Sequence, residues 1–181
     1  MQNVEFANIS YLIMDFDGVM TDDSVYVNEL GLEMVRCSRS DGAGINLLKV
    51  ANHLGFTAIE MLILSSEANQ VALARSLKLG INCELNVSNK FEFLSQRAVH
   101  DLKISPKDFF HKTIYFGNDL NDLCSMQASR FSFAPDNSHP RIKEVADIVF
   151  PQRGGDGIVR AAIEHILGTA VVESIIREIY A

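Results

Sequence analysis

A chain of 181 residues, 48% hydrophobic and 22% charged, has the make-up of an ordinary globular domain and is long enough to bury a substantial core. A formal net charge of -7, a pI near 5.2 and the lack of any basic run argue against a nucleic-acid binder. Cys37, Cys83 and Cys124 lie far apart with no C-x-x-C, which fits neither a disulfide framework nor a zinc site. The start "MQNVEFANIS" has no basic n-region, and no apolar stretch approaches the roughly 18 residues that cross a bilayer. The expectation is one cytoplasmic domain, residues 1–181, with no nucleic-acid or membrane partner.

In chain order, "YLIMDF" is a short apolar run of the buried-strand kind. "SVYVNELGLEMVRCS" carries β-branched and aromatic residues on both sides of Asn28 to Gly31 and predicts a hairpin over about 24–37. A helix is expected from about Gly44 to Leu54, stopped at Gly55. "TAIEMLIL" is a second core strand, followed by a helix from Glu67 to Leu79, a weak strand near Asn82 to Asn86, and a helix from about Asn89 to Leu102. Pro106 opens a short helical turn. "TIYF" is a further core strand that runs straight into "GNDLND" and a helix ending near Met126. Short strands at Phe131 to Phe133 and Asp147 to Phe150 bracket a helix opened by Pro140. "RGGDG" then leads to a last helix, Gly157 to Leu167.

Strands that alternate with helices of ten or more residues imply an α/β fold: a mostly parallel sheet with helices on both faces. Ligands of such sheets bind beyond the carboxyl ends of the strands, where Asp15, Asp17, Ser65, Lys90 and "GNDLND" are all expected to fall. Two carboxylates one residue apart at a strand end repel each other unless a cation lies between them. A bound Mg²⁺ would resolve that conflict and let Asp15 attack phosphorus while Asp17 acts as acid and base. Ser65 and Lys90 suit the phosphoryl oxygens, and the acids of "GNDLND" would complete the metal site. Each piece alone has a plain structural reading, as a turn, a helix cap or a solvated lysine; the ordered set does not.

That set, D-x-D-G-x-x-T, then Ser, Lys and G-N-D-x-x-D, resembles the haloacid dehalogenase superfamily of aspartate-nucleophile phosphotransferases. The likeness runs through "SRSDGAGINLL", "LKLGI", "FAPDNSHP" and "RGGDGIVRAAIEHILG", roughly Ile9 to Gly168. It is similar in particular to the small, capless phosphatases of 3-deoxy-2-ulosonic acid phosphates, and to the phosphatase-like C-terminal domain of CMP-acylneuraminate synthetases. The resemblance implies a Rossmann-like fold with the hairpin in place of a cap domain, Mg²⁺ as cofactor, and a phosphorylated sugar acid as substrate. It implies Asp15, Asp17, Lys90 and Ser65 as catalytic residues, and Asp15, Asp17, Asn118, Asp119 and Asp122 around the metal. Asn118 departs from the acid usual there, which should weaken the metal site. Substrate contacts would come from Ser66, Glu67, Lys78 and Arg153, and from Asp41 and Gly42 in a loop "SRSDGAG". The Ser-Ser-Glu at 65–67, the spacing of Lys78 from Glu67 and "RGGDG" lean toward a nonulosonic (sialic-type) acid 9-phosphate, with octulosonate 8-phosphate as the alternative. The hairpin is expected to assemble a homotetramer. A non-hydrolytic module linked to a cytidylyltransferase is the competing reading, motivated by Asn118.

Overall fold

The computed structural model describes residues 4–68 and 70–180. A 3-10 turn (Val4–Phe6) leads to β1 (Tyr11–Met14), the strands β2 (Thr21–Val27) and β3 (Glu33–Cys37), and α1 (Arg39–His53). Next come β4 (Glu60–Leu64), α2 (Gln70–Leu79), β5 (Asn82–Glu84), α3 (Lys90–His100), α4 (Pro106–Phe110) and β6 (Thr113–Phe116). A second 3-10 turn (Leu120–Asp122) runs into α5 (Leu123–Ala128), followed by β7 (Phe131–Pro135) and α6 (Pro140–Val145). β8 (Ile148–Phe150), α7 (Ile158–Leu167) and α8 (Thr169–Tyr180) complete the chain.

The main sheet has the order β5-β4-β1-β6-β7-β8, and every pairing in it is parallel. Side chains alternate across it with the period of two that strands impose. Leu12, Met14, Ile63, Ile114, Phe116 and Phe133 face a core shared with α1, α7 and α8. Ile13, Leu62, Leu64, Tyr115 and Ala134 face the other core, under α3, α4, α5 and α6. Both faces are covered, which is why these strands read as unbroken apolar runs. Register then sets the site: Met14 lies opposite both Ile63 and Phe116, so the segments after β1, β4 and β6 leave the sheet at one edge.

Three local expectations are corrected. α1 begins at Arg39, not near Gly44, because Ser38 accepts the N–H of Ser40 and caps it; "SRSDGAG" is a first helical turn, not a loop. The glycines that suggested a loop serve close packing: a Cβ on Gly44 would fall 2.5 Å from Cα of Arg160 in α7. The last helix expected from the sequence ends at Leu167, yet Gly168 (φ +75°) ends α7 and α8 starts at once, anchored by Val171 and Ile175 one turn apart. The hairpin is present as β2 and β3, antiparallel and outside the main sheet, with its register broken between Thr21 and Val25. It leaves Val25, Tyr26, Val27, Leu30, Leu32 and Met34 between 51% and 78% exposed.

Candidate active site

β1 carries one residue past its last pairing: Asp15 N–H donates to the Phe116 carbonyl at 2.8 Å. The chain then closes on itself. Gly18 has φ +76°, and the buried Thr21 Oγ1 accepts the N–H groups of Gly18 at 3.1 Å and Asp23 at 3.2 Å. The D-x-D-G-x-x-T pattern is thus a loop tied by its own threonine. Asp15 is buried; its Oδ1 accepts the Phe16 N–H at 2.7 Å and its Oδ2 pairs with Lys90 Nζ at 2.7 Å. Burial and the charge of Asp122 push its carboxyl well above the usual range, against the pull of Lys90.

Lys90 opens α3, whose N-cap Asn89 accepts the Glu92 N–H. The lysine is only 1% exposed and forms a second ion pair, 2.8 Å, with Asp122 Oδ1. Burial works against its charge, but Asp15 and Asp122 outweigh it and raise its pKa. Asp122 is fully buried, with Oδ1 also accepting Tyr115 Oη–H at 2.8 Å and Oδ2 accepting the Asn118 N–H at 2.9 Å. Both of its oxygens are thus engaged, supporting Lys90 and the Asn118 backbone, where a metal ligand was expected.

Asn118 is buried, and its Oδ1 has no hydrogen-bond partner among the described residues. It packs directly over Gly18, where a Cβ would fall 1.9 Å from Asn118 Nδ2. An orphaned hard oxygen packed on Gly18, in the loop that carries Asp15 and Asp17, is what a divalent cation would satisfy. No group of three or more His, Cys, Asp or Glu side chains gathers as a metal site among the described residues. The donor set that fits is accordingly mixed: Asp15, Asp17 and the amide of Asn118. Asp17 is half-buried, and burial, then Asp23, Glu67 and Glu33, raise its carboxyl above the ordinary value despite Lys90. Asp119 is exposed and turned onto the Leu120 N–H as a cap.

The other candidates divide. Ser65 is buried and its Oγ accepts the Glu67 N–H at 3.1 Å; Ser66 Oγ accepts from Asn121 Nδ2 at 2.8 Å, tying the segments after β4 and β6 together. Glu67 is exposed beside a groove of about 620 Å³ that it shares with Gly31, Leu32 and Glu33 of the hairpin. Lys78 sits in the last turn of α2, roughly 12 Å along the helix from Gln70, whereas Glu67 lies before the helix begins. Asp41 is 1% exposed; its Oδ1 accepts the Arg160 N–H at 3.1 Å, capping α7 from a distance, and its Oδ2 has no hydrogen-bond partner among the described residues. Gly42 faces Leu79 and Arg75 of α2, again packing. Arg153 is exposed and precedes Gly154, whose Cβ would fall 2.0 Å from the Gly18 carbonyl, so "RGGDG" is built to lie against the Asp15 loop.

Three participants were missed from sequence. Arg36 of β3 pairs with Asp22 of β2 and clips the hairpin to Asp156. Asn137 Oδ1 accepts the Gly154 N–H at 2.8 Å and holds "RGGDG" in place. Tyr115 had a visible signal, a hydroxyl inside the otherwise apolar end of "TIYF".

A wholly parallel sheet whose central strand ends on a buried carboxylate, paired to a lysine and flanked by a second acid, defines a hydrolase of the aspartate-based phosphotransfer class. The chain belongs to the haloacid dehalogenase-like hydrolases, whose family pattern matches residues 45–161, and it is a phosphatase of that superfamily. It is 31% identical over 161 residues to the 3-deoxy-D-manno-octulosonate 8-phosphate phosphatase of Salmonella typhi, covering 88% of this chain and 80% of that one. Among solved structures, a HAD family hydrolase from Streptomyces avermitilis superposes with a TM-score of 0.79 at 34% identity, covering 91% of this chain and 88% of the other. The cobalt-bound octulosonate 8-phosphate phosphatase of Haemophilus influenzae gives 0.76 at 26% identity, with 90% and 89% covered.

Proposed function

We propose that the chain is a divalent-cation-dependent phosphatase of 3-deoxy-2-ulosonic acid phosphates, with octulosonate 8-phosphate as its substrate. The observation that carries the reading is the buried Asp15–Lys90–Asp122 cluster at the carboxyl edge of the sheet. The likeness to octulosonate 8-phosphate phosphatases over most of the chain supports the eight-carbon substrate better than the nine-carbon one favoured by the sequence reading. Glu67, exposed on the groove beside the hairpin, and its spacing from Lys78 still favour the nine-carbon alternative.

Asp15 attacks phosphorus through a carboxylate oxygen as the ester P–O bond breaks. Asp17 gives its proton to the leaving alkoxide as the general acid. It then takes one from water, which attacks the aspartyl phosphate and releases inorganic phosphate and free Asp15. Lys90, Ser65 and the amides after β1 hold the phosphoryl oxygens. A divalent cation, Mg²⁺ by its preference for oxygen donors, would be held by Asp15, Asp17 and Asn118 and neutralise charge on the transferring group.

The apolar hairpin is the proposed tetramer contact: six exposed large side chains on one projecting unit are what equivalent copies would cover. Phosphate release from a panel of sugar-acid phosphates, with and without Mg²⁺, tests the proposal. Fastest Mg²⁺-dependent release from octulosonate 8-phosphate is expected. Preference for a nonulosonic 9-phosphate moves the assignment to that substrate, and no release from any member favours a non-hydrolytic module linked to a cytidylyltransferase.

A further inference from the structure

Tyr115 lies on the central strand β6 with no exposed surface, in the core under α3 to α6. Its hydroxyl is closed off from solvent beside the buried Ser125, so it must find a polar group inside or lose hydrogen bonding altogether. It finds Asp122 Oδ1 at 2.8 Å, the same oxygen that takes Lys90 Nζ at 2.8 Å. The other oxygen takes the Asn118 N–H at 2.9 Å and a longer contact from the Asp119 N–H at 3.4 Å. A carboxylate offers about four lone-pair directions, so this one is filled and cannot turn about its last bond without breaking contacts on both sides.

One rigid carboxylate thus fixes two corners of the site. Through Oδ1 it sets the Lys90 ammonium, whose other partner is Asp15 Oδ2 at 2.7 Å. Through Oδ2 it sets the backbone of Asn118, whose side-chain oxygen is the orphan next to Gly18. The hydroxyl also draws charge from Oδ1, so Asp122 holds Lys90 less tightly. When Asp15 gives up its negative charge by bonding to phosphorus, Lys90 is left between Asp122 and the phosphoryl oxygens. How hard Asp122 pulls then decides how much of the lysine's charge reaches the transition state.

Resting on the functional reading above, we infer that Tyr115 is a positioning residue for the reaction, acting through Asp122 on Lys90 and not by touching substrate. The test replaces it by Phe, which fills the same space without the hydroxyl, and uses p-nitrophenyl phosphate with Mg²⁺. The expected result is a kcat about tenfold lower with KM within about twofold. Affinity for orthovanadate, which mimics the five-coordinate transition state, should fall by the same factor while affinity for inorganic phosphate holds. Incorporation of 3-fluorotyrosine at 115 keeps a hydroxyl of altered acidity and should change kcat by much less than Phe does, which a purely space-filling role would not distinguish from Phe. A kcat for Tyr115→Phe within twofold of wild type, or equal losses in the Phe and 3-fluorotyrosine enzymes, overturns the inference alone. Should Tyr115→Phe fail to fold, a series of fluorotyrosines of rising acidity decides: a graded kcat supports the inference and a flat one overturns it. A wild-type chain that hydrolyses no phosphomonoester overturns the functional reading, and this inference with it.

Discussion

Replacing Gly18 by Ala tests how closely the Asp15 loop and Asn118 are fitted. The backbone there has φ +76°, a left-handed conformation that costs a residue with a Cβ about 1–2 kcal/mol. The added carbon would sit 1.9 Å from Asn118 Nδ2, whereas ordinary contact begins at 3.4 Å, so the amide must retreat by about 1.5 Å. Retreat takes the orphaned Oδ1 away from the loop that carries Asp15 and Asp17. Misplacing a positioned group by about 1 Å can lower turnover about a hundredfold, far more than the stability loss alone would suggest. For a chain of this length the stability loss corresponds to a melting temperature lower by roughly 2–8 °C. Thermal melts, steady-state kinetics with p-nitrophenyl phosphate and calorimetric Mg²⁺ titration give the three numbers. The expectation is a folded variant with about 1% of wild-type kcat/KM and weakened Mg²⁺ binding. Activity within twofold of wild type would refute the reasoning, since it would mean that Asn118 can move without consequence.

Asn118→Asp restores a charged donor and should tighten Mg²⁺ binding roughly tenfold by calorimetry; unchanged affinity would show that Asn118 does not face the ion. Asp41 has its pKa raised, mainly by burial, so the stability it lends is complete below the ordinary aspartate value of 3.8 and is lost as pH rises through the higher folded value. Denaturant melts of wild type and Asp41→Asn across acid to neutral pH should therefore show the variant gaining relative to wild type as pH rises; a constant difference would contradict the burial argument. Leu32→Asp puts a charge on the exposed hairpin and should shift the chain to smaller species in light scattering, with the fold intact by circular dichroism. No change in mass would remove the hairpin from the assembly.

The fold was legible because strands covered on both faces are written as apolar runs, and "YLIM", "MLIL" and "TIYF" leave little else to be. The helix ends were less so. Gly42 and Gly44 look like loop residues, yet they permit α1 to lie against α2 and α7, a requirement set by partners distant in sequence. Gly168 looks like a final stop, and only the burial of Val171 and Ile175 shows that α8 continues the packing. At the site, residue types and their order pointed to Asp15, Asp17, Lys90 and Asn118, because strand ends in a parallel sheet converge. Which lone pairs are already taken is not written in the order of residues. Asp122 reads as one more acid in "GNDLND" until Lys90, Tyr115 and the Asn118 backbone are seen around it. Asp41 reads as a loop residue until the amide of Arg160, far along the chain, is found on its oxygen.

The central claim, transient phosphorylation of Asp15, is tested most directly by quenching the enzyme during turnover with acid and reducing the acyl phosphate with borohydride. Peptide mass analysis should find Asp15 converted to the reduced alcohol, and no such product at Asp17 or Asp119 or in enzyme quenched without substrate. An unmodified Asp15 under conditions where phosphate is being released, or the reduced product on another aspartate, would contradict the account.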